Sequence, residues 1–108
     1  MPMYLTRFSY TPETWARLVK NPEDRSAAAR QYIESVGGKL HGFWYAFGEN
    51  DGYNLWEAPD NVSIAATAIA ISAGGALSSF HTTVLLTVEE TLAALKKASS
   101  IAYRPPGK

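Results

Sequence analysis

The stretch Gly48-Glu49-Asn50-Asp51-Gly52-Tyr53-Asn54-Leu55-Trp56-Glu57-Ala58-Pro59-Asp60 ends one strand, turns, runs a short second strand and opens a helix within thirteen residues. Gly48 and Gly52 bracket an Asn-Asp pair, residue types that tolerate the positive φ of tight hairpin connections. Tyr53 to Ala58 reads as the returning strand, with the apolar pair Leu55-Trp56 at its centre. Asp60 stands where a helix N-cap belongs. The strand that enters the turn is Lys39 to Phe47, rich in aromatics, and the helix that leaves it runs from about Asn61 to Ala73 and closes at Gly74-Gly75.

Working outward, Met3 to Tyr10 predicts a first strand, with Tyr4, Phe8 and Tyr10 on one face and Met3, Leu5 and Arg7 on the other. Thr11-Pro12-Glu13 starts a helix, since proline suits the first helical position. Asn21-Pro22 interrupts it, and Asn21 is placed to cap a second helix running to about Val36, stopped by Gly37-Gly38. Beyond Gly75, Leu77 to about Leu86 predicts a fourth strand. Thr87-Val88-Glu89-Glu90 then reads as a capping box opening a last helix, with Val88, Leu92 and Leu95 on one side and Lys96-Lys97 at its end. Residues 1–98 thus read as a single domain, and 99–108, with Pro105-Pro106-Gly107, as an extended tail.

The order β-α-β-β-α-β plus a terminal helix is the ferredoxin-like α+β arrangement. Right-handed crossovers put both main helices on one face of a four-stranded antiparallel sheet of order 4-1-3-2. The other face should be polar in a lone domain. It reads as apolar instead: Leu40, Trp44 and Ala46 oppose Phe43, Tyr45 and Phe47 on the second strand, and Phe80, Val84 and Leu86 oppose Leu77, His81 and Leu85 on the fourth. Burying ~600 Å² of such surface at ~25 cal/mol/Å² would supply about 15 kcal/mol before association costs. Two sheets packed face to face in a homodimer account for this better than one short helix, which is too small to cover four strands.

Composition narrows the function classes. Hydrophobic residues make up 46% of the 108 residues, which sets the chain apart from disordered sequences. Ten basic and ten acidic side chains cancel, so the basic face expected of a nucleic-acid binder is missing, as is a polybasic membrane anchor. The absence of cysteine excludes disulfides, thiolate nucleophiles and thiolate-bound metals and suits a cytoplasmic protein. Arg7 comes before any apolar run can build, so no signal peptide is expected, and the greasy stretch Val62 to Ala76 is too short and too interrupted to span a membrane.

The segments Thr11-Pro12-Glu13 through Lys20-Asn21-Pro22-Glu23-Asp24-Arg25, Gly37-Gly38-Lys39-Leu40, Gly42-Phe43, Gly48-Glu49-Asn50-Asp51, Glu57-Ala58-Pro59-Asp60 and Thr82-Thr83 together resemble the GYD-domain proteins. The resemblance spans roughly residues 3 to 97 in unbroken order. It implies a ferredoxin-like fold assembled as a dimeric α+β barrel, and it transfers no activity. In the family's Gly-x-Tyr-Asp motif this chain has Asn50 in place of the tyrosine, so no role of that tyrosine carries over.

His41 and His81 are the only histidines and fall within predicted strands, where they are the candidate acid–base groups. They belong to opposite edges of the sheet, so only a partner chain would bring them together. The bland alternative is two polar strand residues bonded to neighbours or water. Arg7 and Asn54 sit on central strands, where a polar group needs a partner. Either they line a ligand pocket with His41, Trp44 and Tyr45, or Arg7 pairs with Glu57 as a structural ion pair. No spacing gathers metal ligands and no phosphate loop or nucleophile elbow is present, so no metal or cofactor is expected. The expected function is binding of a small apolar or aromatic molecule in an auxiliary role. The alternative is a cofactor-independent oxygenase, isomerase or decarboxylase acting on such a molecule.

Overall fold

A computed structural model describes residues 1–107. Strand β1 (Met3–Tyr10) leads into helices α1 (Pro12–Lys20) and α2 (Arg25–Ser35), then strands β2 (Lys39–Tyr45) and β3 (Gly52–Glu57), helix α3 (Asn61–Ala73), strand β4 (Leu77–Leu85) and helix α4 (Val88–Ala98). The four strands form one antiparallel sheet in the order β2-β3-β1-β4, the expected 4-1-3-2 read from the other edge. The fold is α+β with ferredoxin-like topology.

Local chemistry sets the element boundaries. Thr11 caps α1 by accepting from the Thr14 N–H, Asp60 caps α3 by accepting from the Ser63 N–H, and Thr87 and Glu90 form both bonds of the capping box on α4. The cap of α2 is Asp24, which accepts from the Ser26 N–H, and not Asn21. Asn21 instead ends α1 by donating its N–H to the Arg17 carbonyl. Gly37 and Gly75, both at positive φ, terminate α2 and α3.

The hairpin differs from its expectation in two respects. β2 stops at Tyr45, and Phe47 lies in the turn, fully exposed. The turn contains no residue at positive φ. The Ala46 N–H closes it on the Asp51 carbonyl, leaving four residues between, enough to reverse the chain without a left-handed residue.

A register shift in β2 reorders its faces. Leu40 is opposite Trp56 but Gly42 is opposite Leu55, so His41 is an extra, bulged residue. One inserted residue reverses the alternation beyond it. Leu40, Phe43 and Tyr45 therefore share the helix-covered face, and Trp44 takes the opposite, open face. Strict alternation from Leu40 places these aromatics the other way round.

The helix-covered face carries the core. Tyr4, Thr6, Phe8 and Tyr10 of β1, Leu40 of β2, and Asn54 and Trp56 of β3 are all buried on it. Ala29 and Ile33 of α2 pack against Tyr4, Leu40, Trp56 and Ala58. On the open face, Met3, Leu5, Leu55 and Leu85 are only partly covered, and Trp44 is 54% exposed. α4 leaves that face open: none of its residues is buried, and Val88, Leu92 and Leu95 remain exposed. The radius of gyration, 17.6 Å, exceeds the ~13 Å of a compact chain of this length, and the molecule is 59 Å long.

Gly52 lies directly under the Phe8 ring, which a Cβ at this position would overlap. Gly52→Val should therefore displace Phe8 from its rotamer and cost about 1–3 kcal/mol. Urea denaturation followed by tryptophan fluorescence reads this as a lower midpoint at unchanged slope.

Candidate functional site

The three helices over the sheet do not close it equally. α2 seats Ala29 and Ile33 deep in the core, but α1 buries no residue and α3 buries only Thr67. On its pocket side α3 presents Ala66, Thr67, Ala70 and Ile71, followed by Gly74 at its C-terminal end. The space left between α1, the α1–α2 break, α3 and the sheet is a pocket of about 910 Å³. This is the size of a drug-sized ligand site.

Aromatic rings build the sheet side of the pocket. Phe8 stands 5.5 Å from Phe43 and 5.4 Å from Tyr10, centroid to centroid. Tyr10 meets the Trp15 ring edge-on at 5.0 Å, and the Tyr10 and Tyr45 hydroxyls lie 3.2 Å apart. Burial, aided by the bond to Tyr45, pushes the Tyr10 phenol well above its ordinary range and keeps it protonated. Burial raises the Tyr32 phenol on the α2 side as well, against the opposing pull of the Arg25 charge.

Asp51 fixes this wall. One of its oxygens accepts from the Tyr10 backbone N–H at 2.9 Å and from the Trp15 indole at 3.1 Å, while its own N–H donates to the Phe8 carbonyl. The hairpin carboxylate thus ties β1 to α1. Asn50, beside it, is buried.

A polar ladder crosses the floor. The Trp56 indole donates to Thr6 Oγ1 at 2.9 Å, and Thr6 Oγ1 lies 3.3 Å from Thr82 Oγ1. Asn54 is the next residue on this face, opposite Thr6 on one side and Phe43 on the other. It is 4% exposed, lines the pocket, and its side-chain Oδ1 has no hydrogen-bond partner. The nearby hydroxyls have other partners: Thr6 accepts from Trp56 and lies beside Thr82 Oγ1, and Thr67 donates to the Ser63 carbonyl of its own helix. Such an orphan costs about 1–3 kcal/mol. In an aromatic pocket its partner comes from outside the protein, as water or as a ligand.

The mouth is charged. Arg17 and Lys20 on the last turn of α1, and Arg25 at the start of α2, line it together with Glu23. Glu23 lies 3.6 Å from Arg25.

The sequence-derived candidates divide between the two faces of the sheet. Asn54 lines the pocket. Tyr45 shares that face and supports Tyr10 from outside the pocket lining. Arg7, His41, Trp44 and His81 lie on the open face. There Trp44 and Tyr53, Tyr53 and Arg7, and Arg7 and His81 are cross-strand neighbours, so the four form one row across the sheet. Arg7 is exposed, and Glu57 bonds to His41 instead, with His41 Nε2 2.8 Å from Glu57 Oε2. The bulge turns His41 toward that carboxylate. The structure therefore does not gather Arg7 and His41 with Asn54 in one cavity.

Sequence reasoning missed Tyr10, Tyr32 and the mouth cations as site residues. The signal for the last was available: Arg17, Lys20 and Arg25 flank the helix break at Asn21-Pro22, and a break over a sheet opens a gap. Among the described residues no helix is long and apolar enough to cross a membrane, and no group of three or more His, Asp or Glu side chains is placed to hold a metal ion.

A family model for the GYD domain matches residues 4–95. No curated protein matches the chain.

Proposed function

The chain belongs to the GYD domain family, and from that premise we propose that it is a small-molecule binding protein whose aromatic pocket, between sheet and helices, takes a small apolar or aromatic molecule. The observation that carries this reading is Asn54 Oδ1, buried and unpartnered in the lining of a cavity of about 910 Å³. The role is auxiliary, that of holding or delivering a molecule. We further propose that two copies pair through their open sheet faces. Met3, Leu5, Leu55 and Trp44 on that face, left uncovered by α4, support the pairing.

A thermal-shift screen with aromatic and polyketide-like compounds tests the binding reading. A ligand at a hundred times its Kd stabilises the folded state by about 2.7 kcal/mol, which raises Tm by several degrees. Ala70→Trp and Ala66→Trp, each filling the pocket from α3, should abolish the shift. A shift that survives both substitutions places the ligand elsewhere and removes the pocket from the account.

A second reading has one observation behind it. The His41–Glu57 pair is a histidine held by a carboxylate, the arrangement that orients an imidazole as a general base. On the open face of a dimer it would serve a cofactor-independent oxygenase, isomerase or decarboxylase. Turnover lost in His41→Ala or His81→Ala, with folding intact, would favour it; full turnover in both removes histidine from the mechanism.

A further inference from the structure

The pocket is polar at two separated places, its floor and its mouth, and each specifies a different part of a ligand. At the floor, Asn54 needs a partner that neither Thr6 nor Thr67 supplies. A hydroxyl both donates and accepts, so it satisfies a primary amide whichever of its two ends faces the cavity. Between floor and mouth the lining is aromatic and flat-sided, from Phe8, Phe43, Tyr32 and Phe80. Rings stack on such walls at low entropic cost.

The mouth carries three cations, Arg17, Lys20 and Arg25, against one acid, Glu23, although the whole chain is neutral. Among the described residues, neither Arg17 nor Lys20 forms an ion pair, and the one bridge, Arg25 to Glu23, is long at 3.6 Å. Helix physics explains Arg17 and Lys20, whose charge suits the end of α1. It does not explain Arg25. This residue opens α2, where the helix dipole disfavours a cation; the acids beside it are Asp24, spent on capping the helix, and Glu23, its partner at 3.6 Å. Arg25 instead lines the pocket together with Tyr10 and Tyr32.

We infer that the ligand is a planar hydroxyaromatic carboxylate, its hydroxyl bonded to Asn54 at the floor, its rings against the aromatic wall and its carboxylate held at the mouth by Arg17, Lys20 and Arg25. This rests on the pocket reading above. Arginine forks match a carboxylate bidentately, and charge-assisted bonds at the mouth give the acid its advantage over a neutral compound.

The test uses three probes on the full chain by isothermal titration calorimetry: a hydroxynaphthoate with its two groups at opposite ends of the rings, the naphthoate lacking the hydroxyl, and the naphthol lacking the carboxylate. The hydroxynaphthoate should bind roughly tenfold tighter than either of the others. The triple variant Arg17→Gln, Lys20→Gln, Arg25→Gln should weaken both acids about tenfold and leave the naphthol within about twofold. Asn54→Leu should erase the advantage of hydroxynaphthoate over naphthoate. The triple variant changes only the mouth, outside the core, so it keeps the test decisive if Asn54→Leu fails to fold. Equal binding of acids and naphthol, or undiminished acid binding in the triple variant, overturns the ligand class and leaves the pocket as a neutral apolar site. No binding of any probe overturns the ligand class and the pocket reading together.

Discussion

Replacing Leu5 and Leu55 by arginine should convert a dimer into a folded monomer, raising the dissociation constant by at least about a thousandfold. The two leucines are direct cross-strand partners on the two central strands, so they form the middle of the open face. Face-to-face pairing of two such sheets would bury four arginines with no described acid on that row to receive them; Thr83 and Gly42 are its other members. The substituted side chains point away from α1, α2 and α3, so the core around Ile33 and Trp56 keeps its packing and the circular dichroism spectrum should not change. Sedimentation equilibrium at micromolar concentration reads the outcome. Wild-type protein that runs as a clean monomer there sinks the proposed assembly. A double variant that stays dimeric sinks the sheet face as its interface and turns attention to the exposed stripe Val88, Leu92 and Leu95 on α4.

The fold was legible because each of its decisions is local. Pro12, Asn21-Pro22, Gly37-Gly38, Asp60 and the Thr87–Glu90 box act within one helical turn, so the element order can be read without knowing the tertiary structure. The bulge at His41 is not of this kind. It depends on where β2 meets β3, and a single unpaired residue there reverses the faces of Phe43, Trp44 and Tyr45. Asn54 could be singled out because a polar residue on a central strand is conspicuous. Arg7, equally conspicuous, alternates to the other side of the sheet and is solvated. The pocket itself has no sequence signature. It exists because α1 and α3 bury so little against the sheet while α2 buries much, a balance of packing that no short motif encodes.

Trp56→Ala should be the most damaging single substitution, costing about 3–5 kcal/mol. The indole is 2% exposed and packs on Tyr4, with centroids 5.8 Å apart, and on Ile33 and Leu40. Its N–H also holds Thr6 Oγ1. Against a folding free energy of about 5–15 kcal/mol for a domain of this size, such a loss is a large fraction of the whole. Trp44→Ala, on the open face of the same sheet, makes the control: in the monomeric Leu5→Arg, Leu55→Arg background it should cost under about 1 kcal/mol. Trp56→Phe separates packing from hydrogen bonding. It retains most of the ring and loses only the N–H that Thr6 Oγ1 accepts, at about 1–2 kcal/mol. Urea midpoints should therefore rank wild type above Trp56→Phe and Trp56→Phe above Trp56→Ala. A Trp56→Phe variant that falls to the midpoint of Trp56→Ala would show that the indole N–H, and not the packing of the ring, carries the loss.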